Sequence, residues 1–97
     1  KSFETPINAC VSHILVPTQE DALRIKSSIS NYSDFEQFAK MYSECPSGRN
    51  GGYLGCFGHG QMVKPFEDAA FSLHAGQVSE PVGTEFGWHL IKVYDKK

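Results

Sequence analysis

Two of the four histidines lie at opposite ends of the chain, in stretches that predict buried strands. His13 falls within the β-branched residues 11–16, and His89 falls within the alternating residues 88–94. A single inward histidine is most often a structural residue with hydrogen-bonded neighbours. Two of them could form a chemically satisfied pair, because a neutral imidazole donates a hydrogen bond from one nitrogen and accepts at the other.

A glycine-rich stretch, residues 45–66, combines tight backbone with apolar side chains. A surface linker would lack the apolar side chains, and a core strand would lack the glycines. The combination predicts a loop folded around a small apolar pocket. Taken alone, the spacing of Met62 and Phe66 favours the core face of a helix start over a binding pocket. The apolar residues of this stretch are Leu54, Phe57, Met62, Val63 and Phe66.

The three cysteines are an odd number and form no CxxC motif. We therefore expect no disulfide framework, although one bridge with one free thiol also fits the count. Free thiols fit a reducing intracellular compartment, either cytoplasm or organelle, and Cys10 and Cys56 would then pack as small apolar residues. Cys45, Cys56 and His59 lack the spacing of a standard zinc site, so no metal is expected.

Composition excludes several functional classes. A chain of 97 residues fits one small domain, with a core at about residues 9–94. The net charge of −2 argues against a nucleic-acid-binding surface. No apolar run approaches a membrane span, and no signal peptide is visible. The glycine run lacks the ending of a phosphate-binding loop, so no nucleotide cofactor is expected. The start at Lys1 fits a domain cut from a longer protein.

Three stretches carry helix signals. The first follows the capping-box-like Thr18 and ends near Asn31. The second opens at a capping box on Ser33, carries apolar residues at helical spacing and ends at the proline of the glycine-rich stretch. The third has Pro65 in its first turn and ends near Gly76.

The remaining segments are extended or form turns. Residues 53–57 and 78–82 predict short extended pieces, and residues 83–87 predict a turn. The order strand, helix, helix, strand, helix, strand, strand predicts an α+β domain. The long strands at the two ends are the obvious candidates to pair in the middle of the sheet, which would bring the two histidines together.

Several separated motifs, in the right order, resemble the parvulin-type peptidyl-prolyl cis/trans isomerases of the PpiC or rotamase family. They read VSHILV, ECPSGRNGGYLGCFGHGQMVKPFEDAAFSL and GTEFGWHLIKV. The resemblance implies a four-stranded antiparallel sheet surrounded by about four helices, the fourth within residues 46–50. It also implies isomerisation of X–Pro bonds, with proline-containing peptides and protein clients as partners, and a monomer is expected.

The same resemblance assigns a proline pocket. It falls on Leu54, Met62 and Phe66. Gln61 lies where the backbone would meet the bound peptide, and Phe86 occupies the rim. Methionine and phenylalanine suit this role because they present adaptable apolar walls to a five-membered ring.

Four residues match the catalytic positions of the family. His13 and His89 match its paired histidines, and Thr84 matches a hydroxyl that hydrogen-bonds within the pair. Cys45 matches the position beside the reacting bond. We interpret the histidines as fixing the floor of the site rather than transferring protons to substrate. Cys45 is interpreted as a polar wall rather than a nucleophile, since the neighbouring Glu44 does not favour thiolate.

Phosphate recognition is not expected. The phospho-specific branch of the family carries a basic loop after the first strand, whereas residues 17–24 here have two acids before their only base. The main alternative is a non-catalytic peptide-binding or chaperone module that keeps the parvulin fold. A redox-sensing thiol domain built on Cys45 is a third reading, which peroxide sensitivity of that thiol would distinguish.

Overall fold

The computed structural model describes residues 8–29 and 32–96, with the side chains of residues 8–29 and 34–96. In this part of the chain, four strands form one antiparallel sheet, and from edge to edge they are Tyr53–Gly58, Asn8–Val16, Gly87–Lys96 and Val82–Thr84. The prediction of an α+β domain with a four-stranded antiparallel sheet is confirmed. The elements are β1 Asn8–Val16, α1 Gln19–Ser28, α2 Tyr32–Tyr42, a 3₁₀ helix Pro46–Asn50, β2 Tyr53–Gly58, α3 Lys64–Ser72, β3 Val82–Thr84 and β4 Gly87–Lys96.

The two longest strands, β1 and β4, pair along most of their length at the centre of the sheet. Helices cover both faces, so residues of both alternations are buried. The face under α3 is filled by Ala9, Val11, Phe57, Phe66, Ala70, Ile91 and Val93. The face under α1 and α2 is filled by Ile14, Val16, Ala22, Ile25, Phe35, Ala39 and Leu90. None of the helices in the described ranges has the length and apolar composition needed to cross a bilayer.

The helix ends follow local capping chemistry. The Thr18 hydroxyl accepts the Asp21 N–H at 3.1 Å, and α1 begins directly after this cap. It ends at Ser28, before the predicted end near Asn31, which lies outside the described residues. The side chain of Ser33, on which the sequence places a capping box, also lies outside them. The last helix, α3, ends at Ser72 rather than near Gly76, because Leu73 turns to extended backbone.

The third strand differs from its prediction. The sequence places a turn at residues 83–87, yet Thr84 already pairs with Gly87 across the sheet. Only two residues remain at the tip of the hairpin, and Phe86 is one of them, with 63% of its surface exposed. The two glycines of this segment predict a longer turn than the one that forms. Pairing of β3 with β4, which the local sequence does not show, extends the first residues of the predicted turn.

A disulfide bond joins Cys10 to Cys56. The two residues lie directly opposite each other in β1 and β2. The expectation that both thiols stay free and pack as small apolar residues is therefore wrong, and the alternative of one bridge with one free thiol holds. The free thiol is Cys45. With Cys56 in the bridge, its thiol is not free to bind zinc together with Cys45 and His59.

Gly52 joins the glycine-rich loop to β1 through a very close backbone contact. Its carbonyl accepts the His13 N–H at 2.8 Å, and its φ is +85°. A Cβ at this position would overlap the carbonyl oxygen of His13. Only glycine therefore fits here. The contact fixes the position of the His13 backbone relative to the loop.

We expect Gly52→Ala to lower the free energy of unfolding by about 2–3 kcal/mol, because it adds steric overlap to left-handed backbone strain. Gly60 is a matched control, since it has the same φ of +85° and a Cβ there meets nothing within 4 Å. Gly60→Ala should cost only about 1 kcal/mol, the strain alone. Urea unfolding of both variants measures the difference. Equal losses would contradict the close-approach argument.

Candidate active site

All of the predicted site residues except Thr84 line one pocket of about 550 Å³ on the α3 side of the sheet. The lining is predominantly apolar. It consists of His13, Leu15, Glu44, Cys45, Pro46, Leu54, Gln61, Met62, Val63, Phe66, Phe86 and His89.

The pocket is built from β1, β2, β4, the start of α3 and the segments that connect them. The central strands supply the two histidines, and β2 supplies Leu54. Met62 precedes α3, and Phe66 lies in its first turn, where Pro65 favours the helical start. The apolar walls therefore stand on two rigid elements, β2 and α3.

Phe66 forms the wall of the pocket that packs against both histidines of the floor. Its ring stands edge-on to His13 and His89, with centroids 5.6 and 5.2 Å away and nearly perpendicular planes. Only 3% of Phe66 is exposed, and its ring also contacts Phe57 of the core. Edge-to-face packing of this kind fixes the relative orientation of the rings.

The two histidines are stacked and bonded to each other. Their Nδ1 atoms are 3.0 Å apart, and the ring planes differ by 18°. In the sheet register His13 opposes Ile91 and Leu15 opposes His89, so the histidines are diagonal neighbours on one face. Two further side chains reach the outer nitrogens. Thr84 Oγ1 lies 2.8 Å from Nε2 of His89, and Ser47 Oγ lies 3.1 Å from Nε2 of His13.

The bonds form a continuous chain that ends at the free thiol. Ser47 donates to Cys45 Sγ at 3.3 Å. Its oxygen can then accept from the Nε2–H of His13, which leaves Nδ1 of His13 as an acceptor for the Nδ1–H of His89. Nε2 of His89 in turn accepts from the Thr84 hydroxyl. Every ring nitrogen is thus satisfied with both imidazoles neutral.

Burial favours this neutral state. Removal from solvent, followed by the nearby His89, lowers the pKa of His13 to about 4. Burial also lowers the pKa of His89. At neutral pH the floor of the pocket therefore carries no histidine charge.

Acidification is expected to destabilise the fold through this pair. The unfolded chain binds protons on histidine near pH 6.5, whereas folded His13 takes one only near pH 4. The contribution of neutral His13 to the free energy of unfolding is therefore fully present above pH 6.5. It is lost as the pH falls from 6.5 towards 4, which lowers the free energy of unfolding by about 2–3 kcal/mol. Urea unfolding at pH 7 and 4.5 measures the loss. It should shrink in His13→Gln and persist in His74→Asn, an exposed control. If NMR shows that both buried histidines titrate near pH 6.5, the predicted loss of stability on acidification is contradicted.

The loop between β2 and α3 is held by two side chains, Gln61 and Glu67. Gln61 Oε1 accepts the Gly58 N–H at 2.8 Å. The Glu67 carboxylate accepts the Gly60 N–H at 2.7 Å and lies 3.0 Å from Nδ1 of His59. The Gly60 hydrogen bond, assisted by His59, lowers the pKa of Glu67. The backbone that leads to the apolar wall is thereby fixed at both ends.

Sequence reasoning missed Ser47, which connects Cys45 to the histidine pair. A hydroxyl two residues after the cysteine, within a predicted tight segment, was the available signal. Leu15 and Pro46 also line the pocket without having been singled out. Their roles depend on how β1 and the 3₁₀ helix meet, which local pattern does not show.

The family comparison agrees with this geometry. A family model described as the PPIC-type PPIase domain, Rotamase, matches residues 13–95. The chain belongs to the rotamase family. The predicted family is confirmed, because the matched residues form a PPIC-type peptidyl-prolyl isomerase domain.

Individual relatives of this rotamase domain are foldases. Foldase protein PrsA of Geobacillus sp. (strain WCH70) is 51% identical over an alignment of 98 positions, which covers 100% of this chain and 35% of that protein. Foldase protein PrsA 4 of Bacillus cereus is 52% identical over 88 residues, 90% of this chain and 31% of that protein. The chain thus spans about a third of the length of these curated relatives.

Solved structures give the same result. The crystal structure of the peptidylprolyl isomerase PrsA from Bacillus cereus has a TM-score of 0.86 and 48% identity, covering 96% of this chain and 36% of that one. NmPin, the parvulin of Nitrosopumilus maritimus, has a TM-score of 0.76 and 46% identity, covering 92% and 97%.

The predicted reducing intracellular compartment is wrong. A structure described for the virulence factor PEB4 and the periplasmic protein Cj1289, two SurA-like chaperones of Campylobacter jejuni, matches with a TM-score of 0.89 and 37% identity, covering 95% of this chain and 40% of that one. The Cys10–Cys56 disulfide points the same way, because such bonds persist in oxidising compartments. The inference failed because it took an odd cysteine count as evidence for free thiols.

Proposed function

We propose that this rotamase domain isomerises X–Pro bonds in peptides and partly folded proteins by a non-covalent twist, without requiring phosphorylation. The supporting observation is one apolar pocket walled by Leu54, Met62 and Phe66 above an uncharged, hydrogen-bonded floor. Because the chain spans about a third of its PrsA relatives, we also propose that it acts as a single isomerase domain of a longer foldase. The domain itself is proposed to be monomeric.

The chemistry requires a pocket more than a reactive group. The X–Pro bond rotates over a barrier of roughly 18–20 kcal/mol, since the twisted state loses amide resonance. Its carbonyl is then less polar than in the planar ground state, so an apolar, water-poor site favours the twist. Holding the proline ring while the preceding carbonyl turns makes binding stronger in the transition state than in the ground state.

The polar residues then have positioning roles. In this proposal His13 and His89 fix the floor, and Thr84 and Ser47 hold the two ends of the pair. Cys45 forms a polar wall beside the turning carbonyl. Gln61 and Phe86 border the bound peptide on the open side. Neutral histidines support this assignment, because neither ring offers a charge that would favour the polar planar amide.

Independence from phosphate is supported by the charge of the pocket. With both histidines neutral, Glu44 is the charged residue among those that line it. On the neighbouring α1, Arg24 is already paired with Asp21 at 3.3 Å. A phosphate with nearly two negative charges would meet a carboxylate without a compensating base.

The test is NMR exchange spectroscopy on peptides with Ala, Leu, Glu, Arg or phosphoserine before proline. Acceleration of the unphosphorylated peptides supports the proposal. A strong preference for phosphoserine would overturn its specificity part. Peptide-induced chemical-shift changes at Met62 and Phe66 without any acceleration would instead support a non-catalytic binding module. This module is the second candidate function because the similar Campylobacter jejuni structure is described as that of SurA-like chaperones.

A further inference from the structure

A second cavity, of about 400 Å³, lies where α1 and α2 meet the end of β1. We call it the flanking groove. Its apolar and aromatic lining consists of Val16, Pro17, Ile25, Phe38 and Tyr42. Glu44 lines both the flanking groove and the proline pocket, so the two cavities meet at this residue.

The backbone around Glu44 is fixed in place. Its N–H donates to the Leu15 carbonyl at 2.7 Å, and the Ser43 hydroxyl accepts the Leu15 N–H at 3.0 Å. The segment between α2 and the 3₁₀ helix is therefore tied to the last residues of β1. This arrangement holds the Glu44 side chain at the junction of the two cavities.

The charge at the junction is uncompensated. The other two charged residues of the flanking groove, Asp21 and Arg24, pair with each other at 3.3 Å. Within the described residues, no side chain forms a hydrogen bond or ion pair with the Glu44 carboxylate. The histidines of the proline pocket are neutral. Glu44, which is solvent-exposed, thus carries the one charge without a protein partner among the residues that line the two cavities.

The aromatic side chains of the flanking groove suit a long, cationic side chain. Phe38 and Tyr42 stack with centroids 5.9 Å apart, and half of Tyr42 is exposed. Methylene groups can lie along such a surface while the charged end stays near a carboxylate and water. An aromatic face also attracts a nearby cation directly.

We propose that Glu44 and the flanking groove form a subsite for a lysine or arginine that immediately precedes the isomerised proline. The position follows from the neighbouring residue, since Cys45 is placed beside the carbonyl of residue X, and Glu44 is next to Cys45 in sequence. The subsite rests on the proposed isomerase function and names its substrate class, clients with Lys-Pro or Arg-Pro bonds.

The test compares peptides that differ only at residue X, with lysine, its uncharged counterpart norleucine, or glutamate. At low ionic strength kcat/KM for Lys-Pro should exceed that for norleucine-Pro about threefold to fivefold, the size expected for a solvent-accessible ion pair. The advantage should shrink at 0.5 M salt, which screens exposed charges. In Glu44→Gln the lysine advantage should be lost, so that kcat/KM for Lys-Pro equals that for norleucine-Pro when both are measured with this variant.

Glu80→Gln is the matched control, because Glu80 lines neither cavity and its side chain is 81% exposed. It removes the same charge and should keep the Lys-Pro preference. Equal rates for lysine and norleucine, a preference for glutamate, or a lysine preference that survives Glu44→Gln would each overturn the subsite while the isomerase function stands. If no peptide is isomerised, the proposed function falls, and peptide affinities measured by NMR decide the subsite by the same comparison.

Discussion

Met62→Ala is expected to lower kcat/KM for proline isomerisation by about tenfold or more. Met62 is partly exposed within the pocket and packs at the edge of the core under α3. Removing its side chain takes away about 1.5–2 kcal/mol of apolar contact with a bound proline ring, and 1.36 kcal/mol corresponds to a factor of ten in rate. The loss of folding stability should stay near 1 kcal/mol, because the site is not fully buried.

The second methionine of the chain provides the control. Met41 lies on α2 with 64% of its surface exposed, outside both cavities. Met41→Ala should leave kcat/KM and the urea midpoint unchanged. Phe66→Ala would be a poorer test, since that ring is buried and its loss would cost about 3–5 kcal/mol of stability. Full activity in Met62→Ala would contradict the assignment of this cavity as the proline-binding pocket.

Loss of the Cys10–Cys56 bridge is expected to lower the free energy of unfolding by about 4 kcal/mol. The bridge closes a loop with a sequence separation of 46, and a crosslink of that span restricts the unfolded chain by this amount in the chain-entropy estimate. Cys56→Ser is the suitable variant, because Cys56 is exposed and the hydroxyl can remain in water.

Urea unfolding with and without dithiothreitol checks this prediction. The reductant should bring the original chain down to the stability of Cys56→Ser and should not change that variant. Cys45→Ser removes the free thiol and should still respond to the reductant, so it separates the bridge from thiol chemistry in general. Thiol titration of the unfolded, unreduced chain should find one reactive thiol. Three reactive thiols and no effect of reductant would contradict the bridge.

The sequence predicted the features that depend on local pattern. Alternation placed His13 and His89 on inward faces. Pairing of the two long strands brings their Nδ1 atoms to 3.0 Å from each other. The Thr18 cap and the Pro65 helix start formed as their local chemistry indicates. The pocket residues came from the family resemblance. Periodicity alone favoured a core role for Met62, and the roles of the site residues stay predictions.

Features that depend on tertiary register were not predictable from pattern. The Cys10–Cys56 bridge needs β1 and β2 to pair with these residues opposite each other, and no sequence spacing states that alignment. Ser47 reaches His13 only because the 3₁₀ helix packs beside β1. The third strand, Val82–Thr84, begins at the last residue of the predicted extended piece and takes two residues of the predicted turn, since its pairing with β4 outweighs the preference of the glycines.

The two outer strands of the sheet have a consequence for a domain that works on exposed polypeptide. A long, flat edge strand would offer unpaired backbone groups on which a client could add as a further strand. Here β3 is three residues long, and β2 pairs with β1 through a register shift and carries Gly55 at a φ of +86°. Irregular or short edges of this kind discourage strand addition. In the proposed function the pocket binds unfolded chains, and edges of this kind would not serve as a template for their aggregation.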